Sequence, residues 1–268
     1  NTAIGINSLY TNTGSYNTGL GVSALYANTS GQFNTGLGWN ALPSNTTGSY
    51  NVGVGPYALN SNTTASYNTA VGYQAAYSNT TGADNTAVGD RALYTNSTGN
   101  NNAAFGKFAL RYNTGNNNTA LGLQSLYSNT SGASNTGVGL SPLVANTTGS
   151  YNTAVGQDAL GSNTTASNNT AVGYQAGFNN TTGSSILYAG YQAGYGSTGD
   201  HNVALGYQSM YASGAGSYNA AVGYQALTSN TSGSYNVAMG RLALASNTTA
   251  STNTCLLYTS DAADDTPC

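Results

Sequence analysis

The chain has 268 residues, of which 11 are charged: four basic (Arg91, Lys107, Arg111, Arg241) and seven Asp, with no Glu. At 4% charged, against roughly a quarter in ordinary soluble domains, it lacks the basic patch that nucleic-acid binding needs and the carboxylate, His, Cys and Lys clusters on which most catalysis rests. No apolar run approaches the ~18 residues of a membrane span, so the expectation is a segment with no nucleic-acid partner, no membrane insertion, no enzyme activity, no metal and no cofactor.

Along the chain one block recurs from end to end, Asn-Thr-Ala-Val-Gly-Tyr-Gln-Ala-Leu-Tyr-Ser-Asn-Thr-Thr-Gly-Ser-Tyr, with drift. Units begin at residues 1, 17, 34, 51, 68, 85, 102, 118, 135, 152, 169, 186, 202, 219 and 236, and a further one begins at Asn253. Twelve of the 15 full units have 17 residues. The units at 1, 102 and 186 have 16 and lack the second Thr of the Asn-Thr-Thr-Gly segment. A position that can be deleted without disturbing its neighbours is a surface turn, so slots 11 to 16 are expected to form the loop side.

Slot 1 is Asn in every full unit except the one that opens with Ile186. Turn chemistry and a coil-to-coil amide ladder both account for it. Slot 2 is Thr in most early units, broken by Val52, Ala103, Leu187, Val203, Ala220 and Val237; this drift suggests a partly buried slot. Slot 4 is aliphatic or large and apolar, as in Leu20, Val71, Phe105 and Met239, except for Ala189. Slot 5 is Gly throughout, from Gly5 to Gly240, which points to positive φ or close chain approach. Slot 8 is small, as in Ala24, Ala58 and Ser125, and is interrupted by Pro142. Slot 9 is Leu in 11 units and Ala76, Gly177, Gly194 or Met210 in the others.

Slots 4 and 9 read as two apolar anchors on two short extended segments, too short between turns for helices. Helix is further opposed by the Gly of slot 5 and by the many Asn, Thr and Ser residues, and no heptad is present. One such unit cannot bury a core, whereas stacked units can. The predicted fold is all-β: a repetitive β-solenoid or β-roll of about 15 coils of 16–17 residues, each with two short strands and two turns. Coils ~4.8 Å apart predict a rod.

Several local signals carry alternative readings. Gly19-Leu20-Gly21-Val22-Ser23-Ala24, like residues 36–41 and 53–58, matches a dinucleotide fingerprint, but a 17-residue period leaves no room for the βαβ unit that motif requires. Slot 12 yields Asn-x-Ser/Thr sequons in 11 units, among them Asn28, Asn45, Asn62, Asn79, Asn163 and Asn247; a repeated Asn-Thr turn explains these without glycosylation, and at slot 12 the turn is the expectation. Tyrosines gather in slots 6, 10 and 17. Slot 6 also accepts Asp90, Lys107, Gln157 and Arg241, so it faces solvent. Its Tyr73, Tyr174, Tyr191, Tyr207 and Tyr224 are the candidate surface-contact residues, for a glycan or cell surface or as cladding that suits strands. Thr rows suggest ice binding, against which the drift of slot 2 speaks. Asp84, Asp90, Asp158 and Asp200 occupy different slots, which excludes a repeated Ca²⁺ site. His201 reads as loop filler.

The repeat breaks off after Asn253-Thr254. Cys255 to Asp265 is similar to a translated sequencing-library adapter, so the expectation is a repeat array over 1–254, incomplete at both ends, and read-through over 255–268; a C-terminal cap with a disulfide is the alternative. Without residues 255–268, which hold both Cys and Asp261, Asp264 and Asp265, four acidic and four basic residues remain. The net charge of -3 therefore says nothing about partners.

Asn202-Val203-Ala204-Leu205-Gly206 and Asn236-Val237-Ala238-Met239-Gly240 resemble the head repeat of trimeric autotransporter adhesins. The longer run Asn-Thr-Ala-Val-Gly-Tyr-Gln-Ala-Leu is similar to repeats found upstream of the endosialidase-type chaperone domain in phage tail fibres. The resemblance covers residues 1–254 and implies a parallel β-roll assembled as a homotrimer. It implies an extracellular location, on a virion or cell surface, and a structural or adhesive role as rigid spacer or receptor-binding head, with a host glycan or protein as partner. The alternative is a ligand-binding solenoid, for ice or glycan, that uses a Thr or Tyr ladder face.

Overall fold

The computed structural model describes residues 1–212 and 214–256. It is an all-β parallel β-solenoid of about 15 turns, and the described residues contain no helix. The chain divides into two compact units, residues 1–135 and 136–268.

The first unit carries β1 (Thr2–Ile4), β2 (Thr18–Leu20), β3 (Thr35–Leu37), β4 (Val52–Val54), β5 (Thr69–Val71), β6 (Thr86–Val88), β7 (Ala103–Phe105) and β8 (Thr119–Leu121). The second carries β9 (Thr136–Val138), β10 (Thr153–Val155), β11 (Thr170–Val172), β12 (Leu187–Ala189), β13 (Val203–Leu205), β14 (Ala220–Val222), β15 (Val237–Met239) and β16 (Thr254–Leu256). Within each unit every strand pairs in parallel with the next, slot for slot: Thr69 faces Thr86, Ala70 faces Ala87 and Val71 faces Val88. The adapter-like run begins inside β16, where Cys255 pairs with Ala238 and Leu256 with Met239; residues 257–268 lie outside the described residues.

Each coil has one strand rather than the expected two. Slots 2 to 4 are extended, and slots 5–8 and 9–12 close two successive turns, as in Ala24 N–H to Gly21 O (3.4 Å) and Asn28 N–H to Leu25 O (3.3 Å). The first turn needs positive φ at its third residue, and slot 7 supplies it (Ser23 φ 55°, Gln74 φ 54°). Slot 9 is left-handed too, even as Leu (Leu25 φ 53°, Leu59 φ 50°). That conformation costs about 1–2 kcal/mol for an L-residue, and full burial of the leucine returns about 1.5–3 kcal/mol. Coil-to-coil hydrogen bonds continue through these turns, for example Leu25 N–H to Ala41 O and Asn40 N–H to Val22 O, both 3.0 Å.

The expected anchor in slot 4 is the main correction. Successive strand residues face opposite sides, and it is slot 3, Ala or Gly, that points inward. Ala70, Ala87, Ala104, Ala154 and Ala171 are fully buried, whereas slot 4 is outward, with Leu37 39%, Leu121 50% and Met239 44% exposed. The interior of a coil this narrow is already filled by the leucines of slot 9 and the alanines of slot 8, such as Leu93 with Ala92 and Leu160 with Ala159. Only a methyl group or less fits opposite them.

Asparagine rows flank this core. From Asn17 to Asn236 the slot-1 asparagines are buried and link coils: Asn34 Oδ1 accepts from Asn51 N–H (2.9 Å), and Asn34 Nδ2 donates to Gly48 O (2.8 Å). Slot 12, expected to be turn chemistry alone, forms a second ladder. Asn62 Nδ2 donates to Asn45 Oδ1 (2.8 Å) and Asn79 Nδ2 to Asn62 Oδ1 (2.9 Å). Each amide also closes its own turn, as from Asn79 to Gly82 O (2.9 Å). Two of the three shortened units keep that closure, Asn12 Nδ2 to Gly14 O and Asn113 Nδ2 to Gly115 O at 2.9 Å each, as Asn129 reaches Gly132 O in a full-length unit; the third has Ser197 in this slot. The deletion therefore falls on the outward part of the turn, as expected.

The glycine of slot 5 meets both expected demands. Gly72 has φ +131°, and a Cβ on it would lie 2.6 Å from the carbonyl oxygen of Gly89. The coil containing β12 departs furthest from the repeat. Tyr188 stands in slot 3 and is fully buried. Its ring occupies the space that slot-9 side chains fill elsewhere, and the two slot-9 residues beside it are Gly177 and Gly194.

Candidate functional site

Slots 6 and 7 follow the glycine of slot 5. The first is exposed and the second half-buried over most of the array. In the second unit Tyr174, Tyr191, Tyr207 and Tyr224 stack face to face, with ring centroids 5.2, 5.1 and 5.2 Å apart. The Arg241 guanidinium caps the row 5.8 Å from the Tyr224 centroid. Beside it runs an amide ladder in slot 7: Gln192 Nε2 donates to Gln175 Oε1 (2.9 Å), Gln208 to Gln192 (3.0 Å) and Gln225 to Gln208 (3.0 Å). Four of the five candidate tyrosines are thus one continuous row. Tyr73, in the first unit, meets Tyr57 edge-on at 6.4 Å and the Arg91 guanidinium at 5.4 Å.

The geometry limits what these rings can do. Stacked rings use their faces on one another and leave edges and phenol groups to solvent. A sugar ring cannot lie flat on the interior members of such a row. What remains is a regularly spaced line of hydroxyl groups bordered by amides.

Slots 17 and 10, where tyrosines also gather in the sequence, form aromatic rows too. In slot 17, Tyr16, Phe33, Tyr50 and Tyr67 stack at 4.7, 5.0 and 5.1 Å. In the second unit His201, Tyr218 and Tyr235 stack at 4.7 and 5.0 Å, so His201 is the end member of a ladder rather than isolated filler. In slot 10, Phe178, Tyr195 and Tyr211 stack at 5.5 and 5.1 Å. The recurrence of tyrosine in these slots was legible in the sequence; that the rings stack, and that His201 joins them, was not. The Tyr112 phenol is held above the ordinary tyrosine range by hydrogen bonding with Tyr127, against the pull of the Arg111 charge.

The sequon asparagines Asn28, Asn45, Asn62, Asn79 and Asn163 are fully buried and their Nδ2 atoms donate along the ladder, so no glycan fits on these five in the folded chain; Asn247 is half-buried. Among the described residues, no three His, Cys, Asp or Glu side chains come together as metal ligands, and no helix is long and apolar enough to cross a membrane.

From slot 17 to slot 6 the outward side chains run in the order aromatic, Thr or Val, aliphatic, aromatic. In the first unit these include Tyr67, Thr69, Val71 and Tyr73. Val71, Tyr67 and Tyr73 are all exposed. These side chains share one outward sheet face. No family model, curated protein or solved structure matches this chain.

Proposed function

We propose that this chain is a non-enzymatic, structural and adhesive segment of a fibrous surface protein, a phage tail fibre or bacterial adhesin. It serves as a rigid spacer or receptor-binding head in an extracellular homotrimer. The observation that supports this reading is the outward aliphatic row of slot 4. In the first unit Leu20, Leu37, Val71, Phe105 and Leu121 are exposed on β2, β3, β5, β7 and β8, with the half-buried Val54 and Val88 on the strands between them, and in the second Val172 and Met239 are exposed.

Contiguous apolar patches beyond a few hundred Å² are uncommon on monomers and mark interaction surfaces. Burial of such a row against sister chains stabilises by about 25 cal/mol per Å². That gain matters in a coil whose interior holds little more than one leucine and two alanines. The like-on-like register means that a partner meets the same chemistry at every coil, which suits a long, repetitive contact. A scarcity of charge also suits stacked identical slots, where like charges would repel.

Sedimentation of residues 1–254 tests the reading. A species of three chains is expected, and a well-folded monomer or dimer overturns the trimer. The alternative, a solenoid that binds ice or glycan directly, draws on the outward threonines of slot 2, such as Thr69 and Thr86. The bulk and variety of the neighbouring slot-4 residues, from Val54 to Phe105, argue against a regular ice-matching lattice. Thermal hysteresis in a droplet-freezing assay would revive it.

A further inference from the structure

Three of the chain's four basic residues fall between positions 91 and 111, and the stacking of coils gathers them at one corner of the first unit. Asp90 and Lys107 occupy slot 6 of neighbouring coils, Arg91 and Phe108 occupy slot 7, and Arg111 occupies slot 10. The coil before has Tyr73, Gln74 and Tyr77 in these slots, and the coil after has Leu123, Gln124 and Tyr127. The charges are thus a local departure from a neutral repeat.

All three cations turn toward one ring. Lys107 Nζ lies 4.9 Å, Arg111 Cζ 4.8 Å and Arg91 Cζ 5.9 Å from the Phe108 centroid. Arg111 is further surrounded by the rings of Tyr94, Tyr112 and Tyr127 at 5.9, 5.2 and 5.7 Å. The one salt bridge among the described residues, Lys107 to Asp90 at 3.7 Å, answers a single charge. Both guanidinium groups have neutral hydrogen-bond partners: Arg91 Nε donates to Gln74 Oε1 and Arg111 Nη1 to Tyr127 Oη, each at 3.0 Å. These bonds orient the guanidinium forks without cancelling their charge. Arg111 Nε is buried with no hydrogen-bond partner among the described residues.

Three cations against one carboxylate leave two charges unanswered, and cations gathered this closely repel one another. An arriving anion relieves that repulsion. Oriented guanidinium forks match the two oxygens of a carboxylate or phosphate. The neighbouring phenol rings of Tyr112 and Tyr127, which meet edge-on at 5.2 Å rather than face to face, give a sugar ring apolar area and hydroxyl partners. We propose that this corner is an anion-binding site that takes the carboxylate or phosphate group of an acidic polysaccharide. The fibre reading requires no charge here, so the proposal goes beyond it.

Calorimetric titration of the full chain with polygalacturonate, inorganic phosphate and neutral dextran tests it. Polygalacturonate is expected to bind, at least tenfold more weakly in Arg91→Gln/Arg111→Gln, and with unchanged affinity in Arg241→Gln, which removes a cation at another place. Circular dichroism verifies that each variant is folded. Absence of polygalacturonate binding, equal binding of dextran, or an equal loss in Arg241→Gln would overturn the site. Inorganic phosphate binding as tightly as polygalacturonate would overturn the saccharide and leave a site for the free anion.

Discussion

The Tyr188 hydroxyl donates to Ser197 Oγ at 2.7 Å inside the core of the second unit. This bond joins two exceptions to the repeat, a tyrosine in slot 3 and a serine in slot 12. Asn202 Nδ2 also donates to Ser197 Oγ, at 3.3 Å, so the serine takes over the acceptor role that asparagine has elsewhere. Burial pushes the Tyr188 phenol up to about 12, against the smaller opposing effect of the bond to Ser197. Tyr188→Phe is expected to lower stability by about 1–2 kcal/mol, the cost of leaving a buried partner less satisfied, as read from the chemical-denaturation midpoint.

The same phenol makes stability depend on alkaline pH. The unfolded chain releases this proton near 10 and the folded chain near 12, so the unfolded state binds fewer protons between those values. The contribution is whole below pH 10 and is lost as pH rises toward 12, amounting to roughly 2–3 kcal/mol. Denaturation at pH 9 and pH 11 should show a larger loss in the wild type than in Tyr188→Phe. Equal losses would mean that another group is responsible.

Gly194 is the partner that makes room. A Cβ there would lie 2.5 Å from the Tyr188 ring, although leucine is at home in the same left-handed conformation in other coils, as at Leu160 with φ 50°. Gly194→Leu should therefore destabilise by overpacking, about 1–3 kcal/mol. Tyr188→Ala combined with Gly194→Leu returns both slots to the repeat and should be more stable than either single variant. A double-mutant cycle reads this coupling directly.

Gly72 carries positive φ and a neighbouring carbonyl where a Cβ would sit. Gly72→Ala is expected to cost at least 1–3 kcal/mol, the range for residues forced into sparsely populated conformations, with the clash adding to it. Thermal melting followed by circular dichroism measures the loss, and an unchanged melting temperature would contradict the assigned backbone.

Asn62→Ala and Thr64→Ala change two positions of one sequon. Asn62 is buried and shared by three coils through Asn45 and Asn79, while Thr64 is exposed. The first should destabilise by about 1–3 kcal/mol, because buried amides lose their partners. The second should stay within about 0.5 kcal/mol. A glycosylation role for the sequon would instead make both variants equivalent.

The outward sheet face can be tested without touching the core. Leu37→Glu with Leu121→Glu places charges on slot 4 of two strands whose leucines are already 39% and 50% exposed. Unchanged circular dichroism with a shift from three chains to one in sedimentation is the expected outcome. A trimer that survives both substitutions would place the contact on another face.

Much was legible in the chain alone because identical slots must stack. The period, the parallel coil, the invariant glycine of slot 5 and the deletable turn at Asn-Thr-Thr all follow from recurrence and local chemistry. The row of Tyr174, Tyr191, Tyr207 and Tyr224 was legible as an exposed slot, since charged residues share it. Its stacking was not, because ring orientation depends on coil spacing.

Recurrence could not decide which of two adjacent strand slots turns inward. Hydrophobicity favours the larger residue, and by that measure Val71 belongs in the core and Ala70 outside it. The reverse holds because the turns at slots 7 and 9 fold the leucine row back across the coil and leave space for a methyl group at most. Nor could sequence show that the slot-12 asparagines are buried: their turn chemistry is local, but their ladder needs the next coil. The exceptions Tyr188, Gly177, Gly194 and Ser197 look like independent drift when read in order. Only the tertiary structure shows them as one repacked layer, because the residues that share its volume are up to 20 positions apart in the chain.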